Sequence, residues 1–368
     1  MARDRAFLKL VCVIALLLAA PQAAAEDEIA SREHWVDRDG FRLYVWEKFV
    51  GSPEGKPAVL FVHGSSMAST PTFDLVVPGR PHSSVMDWFA ERGFVCWCVD
   101  MEGYGRSDKR RDVFCDIANG ADDLAAATDY IAATRGVKSF LAYGISSGAL
   151  RAALFAQNHP ERVARLALDA FVWTGEGAPT LVERRKKLPQ FMATRRRPID
   201  RAFVYSIFER DHPDCADRAT VDAFADAILA LDDSMPNGTY IDMCSRLPVV
   251  DPQRIPVPTM VMRGQYDGIA AMDDLIQFFV RLPHPDKQFT VMQGISHASF
   301  QQKNTRSSAR SCTPGSRSRR LRTRAGTEGA GALAPNLSME DRFGLRVSTR
   351  SAAALAHYER AVDAQLHG

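Results

Sequence analysis

The stretch FLAYGISSGALRAALFAQN, residues 140–158, decides the fold. Its first part is an apolar run that predicts a buried strand, and Gly148–Asn158 is an Ala-rich segment that predicts a helix. Between them lies Gly144-Ile145-Ser146-Ser147-Gly148, a G-x-S-x-G pattern at the turn from strand to helix. Such a sharp turn forces its central serine into unfavourable dihedral angles, and the flanking glycines leave the space it needs. Ser146 is therefore the first candidate for a reactive side chain.

Strand and helix signals alternate on both sides of this pattern, from about residue 41 to 300. The predicted strands are Phe41–Val50, Pro57–His63, Phe94–Asp100, Ser139–Ser146, Val163–Asp169, Val257–Arg263 and Gln288–Gln293. The predicted helices are Ser83–Gly93, Ala121–Arg135, Gly148–Asn158 and Met272–Leu282. This alternation predicts an α/β fold with a mostly parallel central sheet and helices on both faces.

Residues 175–250 interrupt the alternation. They lack strand signals and contain Arg-rich helical stretches. We therefore predict an inserted helical cap at 175–250, between a first part of the core at 26–174 and a second part at 251–300. The arginines of the cap are most simply a solvated face, and the alternative is that they bind acidic groups of a substrate. These arginines are Arg184, Arg185, Arg195, Arg196 and Arg197.

Three further motifs follow predicted strands and complete a set for nucleophilic catalysis. His63-Gly64-Ser65-Ser66 ends a strand where an oxyanion-hole loop is expected. The backbone N–H groups of Ser65 and Ser147 are its candidate donors. Asp267 follows the strand at 257–263, and His297 follows the last strand. The order Ser, Asp, His along the chain is the order expected for this set.

The chemistry follows from the three side chains. An imidazole is the side chain suited to take a proton near neutral pH, so His297 can activate Ser146, which is otherwise a poor nucleophile. Asp267 would hold the imidazole tautomer and stabilise the imidazolium. Asp169, at the end of the strand 163–169, is the alternative acid. His63 is expected to shape the oxyanion loop rather than to react.

The stretch from about 41 to 300 resembles the α/β-hydrolase superfamily. Five motifs in order carry the resemblance: HGSS at 63–66, DMEGYGRSD at 100–108, GISSG at 144–148, GQYD at 264–267 and GISH at 294–297. Superfamily members that open haloalkanes or epoxides carry an aspartate at the G-x-S-x-G serine. Ser146 therefore points to acyl chemistry, and we expect the cleavage of carboxylic esters through an acyl-enzyme.

Other functions remain open at this level. The same triad serves peptidases, thioesterases, acyltransferases and C–C hydrolases, because a fold does not determine a substrate. A non-catalytic ligand-binding member of the fold is a second class, and an interaction protein acting through its tail is a third. The expected partner is a small-molecule ester or acyl compound. Neither a cofactor nor a metal is expected, since the triad generates its own nucleophile. Nothing in the sequence indicates an oligomeric state.

The first 25 residues predict an export signal. Basic residues at positions 3, 5 and 9 precede the apolar run Leu10–Ala20, and Ala23–Ala25 offers small residues for cleavage. The run is too short to span a bilayer of about 30 Å, so no stable membrane span is expected after cleavage. An uncleaved anchor is the alternative. We expect a periplasmic or secreted protein.

Export would permit disulfides among the cysteines that remain after the signal. Cys215 with Cys244 is the candidate pair, and buried free thiols are the alternative. No CxxC motif or Cys/His cluster at zinc spacing occurs in the sequence. The remaining cysteines are Cys96, Cys98, Cys115, Cys215, Cys244 and Cys312.

The end of the chain does not fit the superfamily pattern. Residues 301–337 carry eight Lys and Arg and one acid, which leaves the rest of the chain with a net charge of −5. The body is therefore not expected to bind nucleic acid, and 301–338 is predicted to be a disordered basic linker in place of a closing helix. Within a predicted helical fragment at 339–368, Ser351–Leu366 is similar to the first helix of a tetratricopeptide repeat. We hypothesise a hydrolase joined to the start of another protein, with a basic tail for anionic surfaces or a flexible linker as alternatives.

Overall fold

The computed structural model describes residues 28–109, 112–304, 339–340 and 346–347. The predicted export signal, nearly all of the predicted basic linker and the repeat-like segment Ser351–Leu366 lie outside the described residues. Contacts divide the chain into two compact units, residues 1–316 and 317–368. The first unit carries the fold that the sequence predicts.

An eight-stranded sheet forms the centre of the first unit. Its strand order is β1-β2-β4-β3-β5-β6-β9-β10, and five of its seven neighbouring pairs are parallel. The mostly parallel sheet is thus confirmed. Along the chain the strands are Ile29–Arg38 (β1), Phe41–Val50 (β2), Ala58–Val62 (β3), Val95–Val99 (β4), Phe140–Ile145 (β5), Val163–Asp169 (β6), Arg196–Pro198 (β7), Ser234–Pro236 (β8), Thr259–Gly264 (β9) and Lys287–Met292 (β10).

Helices cover both faces of this sheet. Strand β3 shows why, since Leu60 and Val62 belong to the main apolar core while Val59 and Phe61 belong to a second apolar cluster. A strand buried on both faces reads as a continuous apolar run. The helices are Ser69–Phe73 (α1), Val85–Ala90 (α2), Ile117–Arg135 (α3), Ser147–Asn158 (α4), Pro179–Arg185 (α5), Leu188–Ala193 (α6), Arg201–Glu209 (α7), Arg218–Leu229 (α8), Gly238–Ser245 (α9) and Met272–Arg281 (α10).

Local capping explains the limits of the long helix α3. The side chain of Asp116 accepts a hydrogen bond from the backbone N–H of Asn119, which satisfies one free donor at the helix start. The helix ends at Gly136, which adopts a left-handed conformation with φ 66°. The helix begins four residues before the predicted Ala121, because Asp116 is the cap that the apolar periodicity does not reveal.

Strand β1 is an element that the sequence pattern did not predict. It pairs antiparallel with β2 along its whole length, from Ile29 opposite Val50 to Arg38 opposite Phe41. Only Val36 in this strand is buried. An edge strand with solvent on most sides lacks the apolar run that marks the central strands, so its signal is weak.

The segment 175–250 contains helices α5 to α9, in line with the predicted insertion. The expectation of no strands there is wrong, because β7 and β8 form a two-stranded antiparallel ladder. The ladder is too short to show a period of two in the sequence. Arg197 and Tyr240 of this segment contact Ser65 and Ser66, which follow β3, so this part of the segment lies at the carboxyl ends of the parallel strands.

Two other expectations need correction. The Cys215–Cys244 disulfide is wrong, since both are buried free thiols, as are Cys96, Cys98 and Cys115. The backbone of Cys215 accepts a hydrogen bond from Lys303, whereas Cys244 lies within α9 in the main core.

In the second unit, Met339–Glu340 (β11) and Arg346–Val347 (β12) pair antiparallel, so the predicted helical fragment 339–368 does not begin as a helix. No helix within the described part of the chain is long and apolar enough to cross a membrane.

Candidate active site

Ser146 lies in the turn between β5 and α4 in a strained conformation, with φ 57° and ψ −126°. The strained turn predicted from the motif is confirmed. The residues two positions before and two positions after Ser146 must be glycines. A Cβ at Gly144 would come within 2.4 Å of a backbone oxygen. A Cβ at Gly148 would come within 2.2 Å of the backbone oxygen of Val62. The turn therefore presses against β3 and presents Ser146 at the carboxyl end of the sheet.

Ser146, His297 and Asp267 form a continuous chain of hydrogen bonds. Ser146 Oγ lies 2.9 Å from His297 Nε2, and His297 Nδ1 lies 2.9 Å from Asp267 Oδ2. The three side chains come from the ends of β5, β9 and β10 and are almost completely buried. The structure thus brings together the three residues predicted from the sequence, although up to 151 residues separate them along the chain.

The surroundings of Asp267 fix the direction of these hydrogen bonds. Burial raises the pKa of this carboxyl, but the charge and N–H of His297 and the backbone N–H groups of Ala270 and Ile269 lower it to about 2. Asp267 is therefore ionised and accepts only. His297 Nδ1 must carry the proton, so Nε2 is left to accept the hydrogen bond donated by Ser146. This is the tautomer that a general base requires.

Two glutamines hold the loop that carries His297, and no sequence pattern indicates them. The Gln302 side chain accepts from the backbone N–H of Ser296 at 2.6 Å and donates to the Ser296 hydroxyl at 2.6 Å. Gln301 donates to the backbone oxygen of Thr72 at 2.6 Å. The histidine is thus anchored by residues that follow it in the chain.

The candidate oxyanion donors lie on both sides of Ser146. The hydroxyl of Ser65 donates to that of Ser147 at 2.5 Å, which joins the loop after β3 to the start of α4. A Cβ on Gly64 would lie 3.3 Å from the Cβ of Ser146. Within the described residues, neither the Ser65 nor the Ser147 backbone N–H donates a hydrogen bond to the protein. Two free donors beside a nucleophile can stabilise a developing oxyanion.

His63 has a structural environment, as expected. Its Nε2 accepts from the backbone N–H of Met101 at 3.1 Å, and its Nδ1 donates to the backbone oxygen of Gly64 at 2.8 Å. Complete burial and the charge of Arg151 lower the pKa of this imidazole to about 3. His63 is therefore neutral and holds the oxyanion loop in place.

Asp169, the alternative acid, is not hydrogen-bonded to His297. Its Oδ2 accepts from the Tyr143 hydroxyl at 2.5 Å. Burial raises the pKa of this carboxyl to about 6. Its place at the end of β6 lies near the triad, but the imidazole pairs with Asp267.

Three potential metal ligands meet at the triad, where hydrogen bonds to Asp267 and Ser146 already use both ring nitrogens of His297. One potential ligand atom each from Asp211, Asp267 and His297 lies within 4.8 Å of the others. His297 and Asp267 are hydrogen-bonded to each other through Nδ1 and Oδ2. A ring nitrogen that carries a proton cannot ligate a metal.

A small cleft leads to Ser146 from the cap side. The expectation of a solvated arginine face is wrong for Arg184, which lines this cleft, and for Arg197, which donates to the backbone oxygen of Ser65 at 2.9 Å. Sequence alone missed both because their partners lie far away in the chain. The residues lining the cleft are Ser65, Ser66, Met67, Ser146, Arg184, Ile207, Arg210, Tyr240 and His297.

Fold and site together define a serine hydrolase of the α/β-hydrolase fold. A sequence profile of one hydrolase family, described as serine aminopeptidase, S33, matches residues 55–304. This match covers well over half of the chain. The chain belongs to this family.

The chain is also similar to individual proteins of known identity. It is 28% identical over 187 residues to the proline iminopeptidase of Neisseria meningitidis serogroup A, covering 47% of this chain and 55% of that protein. It spans about half the length of the curated relatives it matches. A thioesterase domain from the curacin biosynthetic pathway has a TM-score of 0.55 at 16% identity, covering 77% of this chain and 99% of that domain. An epoxide hydrolase from Vigna radiata has a TM-score of 0.55 at 16% identity, covering 77% and 97%. These two structures share the fold alone.

Proposed function

We propose that this serine hydrolase cleaves carboxylic esters of small molecules, with Ser146 as nucleophile, His297 as base and Asp267 as acid. The observation that carries the proposal is the hydrogen-bond chain from Asp267 through His297 to Ser146, at 2.9 Å for each contact. A hydroxyl that donates to an imidazole of the correct tautomer is an activated nucleophile. No group outside the chain is needed to generate it.

The proposed reaction uses each group in turn. His297 Nε2 takes the hydroxyl proton as Ser146 Oγ attacks the ester carbonyl carbon, and the backbone N–H groups of Ser65 and Ser147 stabilise the oxyanion. Ionised Asp267 stabilises the imidazolium. The imidazolium then gives its proton to the departing alcohol, which leaves an acyl group on Ser146. Water, deprotonated by His297, releases the acid and restores the serine.

The test is covalent labelling of the full chain by a fluorophosphonate, read by intact-mass spectrometry. We expect one adduct on the wild type and none on Ser146→Ala. Ser206→Ala is the matched control, because Ser206 is an exposed serine whose hydroxyl donates to the backbone of Phe203 in the cap. It should label as the wild type does. A folded wild type that takes no label contradicts the proposal.

A second candidate is peptide hydrolysis at an amino terminus, which the family description and the proline iminopeptidase relatives support. The two candidates use the same triad and differ in the bond cleaved. Rates on p-nitrophenyl esters and on aminoacyl p-nitroanilides, including the prolyl compound, distinguish them. We expect turnover of the esters. Preferred cleavage of the anilides, abolished in Ser146→Ala, would replace esterase by aminopeptidase.

We further propose that the protein is exported, on the basis of the basic and apolar pattern of its first 25 residues. Mass analysis of the protein recovered from expressing cells tests this. A mature chain that begins at Glu26 in the periplasmic or culture fraction is expected. A chain that keeps its first residues in the cytoplasmic fraction contradicts export.

The basic tail is separated from catalysis by comparing two truncations. A chain ending at Asn304 keeps Gln301 and Gln302, so we expect it to retain its esterase activity. A chain ending at Phe300 lacks both glutamines that anchor the His297 loop, and its kcat should fall. Loss of activity in the chain that ends at Asn304 would contradict a self-sufficient hydrolase and favour a role for the tail.

A further inference from the structure

Arginines of the cap gather around one phenol at the cleft. The guanidinium carbon of Arg184 lies 4.0 Å from the centre of the Tyr240 ring, and that of Arg197 lies 3.7 Å from it. Arg210 lines the same cleft as Arg184, Tyr240 and Ser146. Two of the three guanidinium groups thus face the space beside the nucleophile.

Among the described residues, carboxylates offset little of this positive charge. Arg210 is paired with Asp211, at 3.4 Å. Among the described residues, no carboxylate lies within ion-pair distance of Arg184 or Arg197. Arg197 donates to uncharged acceptors, and Arg184 has the Tyr240 ring as its contact.

Other arginines of the cap have different surroundings. Arg195 forms an ion pair with Asp112 at 2.9 Å. Arg196 has no carboxylate partner among the described residues and donates to the backbone oxygen of Gly103 and to Ser234. Arg185 follows Arg184 directly and is exposed. The cleft differs from these surroundings because two arginines without a carboxylate partner meet there at one phenol.

Neighbouring groups respond to this concentrated charge. Burial raises the pKa of the Tyr240 phenol, yet Arg184 and Arg197 lower it to about 7. Burial, together with the nearby charges of Arg210 and Arg197, lowers the pKa of Arg184. Like charges held in a partly buried cleft repel one another, and a bound anion relieves that repulsion.

We propose that the arginines of the cleft bind a carboxylate carried by the substrate, so that the enzyme acts on small esters bearing a free acid group. Arg184 is the principal contact, and Arg210 adds charge from α7's end. Planar guanidinium groups match a carboxylate in charge and geometry. Arg184 and Arg210 line the same cleft as Ser146 and His297, so an acid group bound there belongs to a molecule beside the nucleophile. These arginines would repel the ammonium group of an aminopeptidase substrate if that group entered the cleft.

This inference rests on the proposed function, since it names the substrate class of the same site. Binding is measured first without turnover, by calorimetry on Ser146→Ala with monomethyl glutarate and with neutral dimethyl glutarate as probes. The monoacid should bind at least about 10-fold more tightly. Adding Arg184→Gln should remove that difference, whereas Arg185→Gln, which deletes an equal charge outside the cleft, should not.

Catalysis is measured next with paired esters. Mono-p-nitrophenyl glutarate and its methyl ester place the acid or its neutral form on the acyl side. 3-Acetoxybenzoate and its methyl ester place it on the leaving group. We expect kcat/KM to favour the acid of one pair by about 10- to 100-fold in the wild type and Arg185→Gln. Arg184→Gln should lose this preference, and Arg210→Gln, an independent variant, should reduce it.

The outcomes separate this inference from the proposed function. A labelled Ser146 with no preference for either acid, or a preference that survives Arg184→Gln, overturns the carboxylate site alone. An unlabelled Ser146 in a protein whose monoacid binding depends on Arg184 overturns the esterase and supports the carboxylate site. Circular dichroism of each variant identifies misfolding, and Arg184→Lys, which keeps the charge, should then retain part of the preference.

Discussion

Two strands in this protein end near His297, and each is followed or closed by an aspartate. The pKa values of the two carboxyls are shifted in opposite directions. Asp169 ends β6, and Asp267 lies in the loop after β9; both are buried. The pKa of Asp169 is raised to about 6 by burial, while that of Asp267 is lowered to about 2 against the same effect. Burial therefore does not determine the role of a carboxyl here.

The difference lies in the donors that each carboxyl receives. Asp267 accepts from an imidazole and from two backbone N–H groups, those of Ile269 and Ala270. Asp169 accepts from the hydroxyl of Tyr143, and the hydroxyl of Ser299 also lowers its pKa, but burial outweighs both. Arg263 reinforces the first arrangement, because it donates to the backbone oxygens of Asp267 and Ala270 and so holds the loop in shape. The loop with several aimed donors lowers the pKa of its buried acid, whereas the strand end leaves that of Asp169 raised.

The largest expected contrast is in turnover. Asp267→Asn should lower kcat by about 10⁴-fold, because an amide no longer holds the imidazole in the tautomer that accepts from Ser146. Asp169→Asn, the matched control at the other strand end, should lower kcat by less than about 10-fold. The measurement is kcat on a p-nitrophenyl ester, with fluorophosphonate labelling rates alongside. Equal losses of kcat in both variants would contradict the assignment of Asp267 as the sole acid of the triad.

The next contrast is in stability against pH. An acid whose folded pKa is raised contributes stability below its unfolded value, near 3.8, and loses it as pH rises through the folded value of about 6. The free energy of unfolding of Asp169→Asn, taken relative to that of the wild type, should therefore increase by up to about 3 kcal/mol between pH 3 and pH 8. Urea unfolding across this range measures the gain.

Asp267 provides the control for that titration, because its pKa is shifted the other way. Its stabilisation is present above the unfolded value and is lost as pH falls from about 4 toward 2. The wild type should thus lose its advantage over Asp267→Asn as the pH falls from about 4 toward 2. The absence of that loss, or a flat trend for Asp169→Asn between pH 3 and pH 8, would contradict the assignment of the two carboxyls.

The smallest effect concerns the hydroxyl that Asp169 uses. Tyr143→Phe keeps the ring that packs against Phe61, Phe73 and Phe300 but removes the donor. We expect a loss of about 2 kcal/mol at pH 8, where Asp169 is ionised, and a smaller loss near pH 4. Unfolding free energies at the two pH values measure it. A large loss of kcat in this variant would instead connect Asp169 to catalysis.

The comparison also explains what the sequence can predict. The bounds of β2 and β6 match the predicted runs, because each run follows from local apolar pattern. Ser146, Asp267 and His297 were found from motifs at strand ends. The choice between Asp169 and Asp267 stayed open, because it depends on where the loop after β9 aims its donors.

Contacts between distant segments were missed for the same reason. Arg184 and Tyr240 are far apart in the chain, and an Arg-rich helix has the composition of a solvated surface. Gln302 carries no signal in the sequence, since its role exists only once Ser296 lies beside it. Strand β1 was missed because its residues are largely exposed. The fold follows from local sequence patterns, whereas the details of the site depend on packing between distant segments.

The anchoring of His297 by Gln301 and Gln302 has a consequence for synthesis on the ribosome. Ser146 and its turn can form early, when β3 and β5 have emerged, but the histidine loop has its anchors only after residue 302 leaves the exit tunnel. The nascent chain therefore stays catalytically silent through most of its translation. The anchors of the His297 loop are thus among the last parts of the catalytic unit to be synthesised.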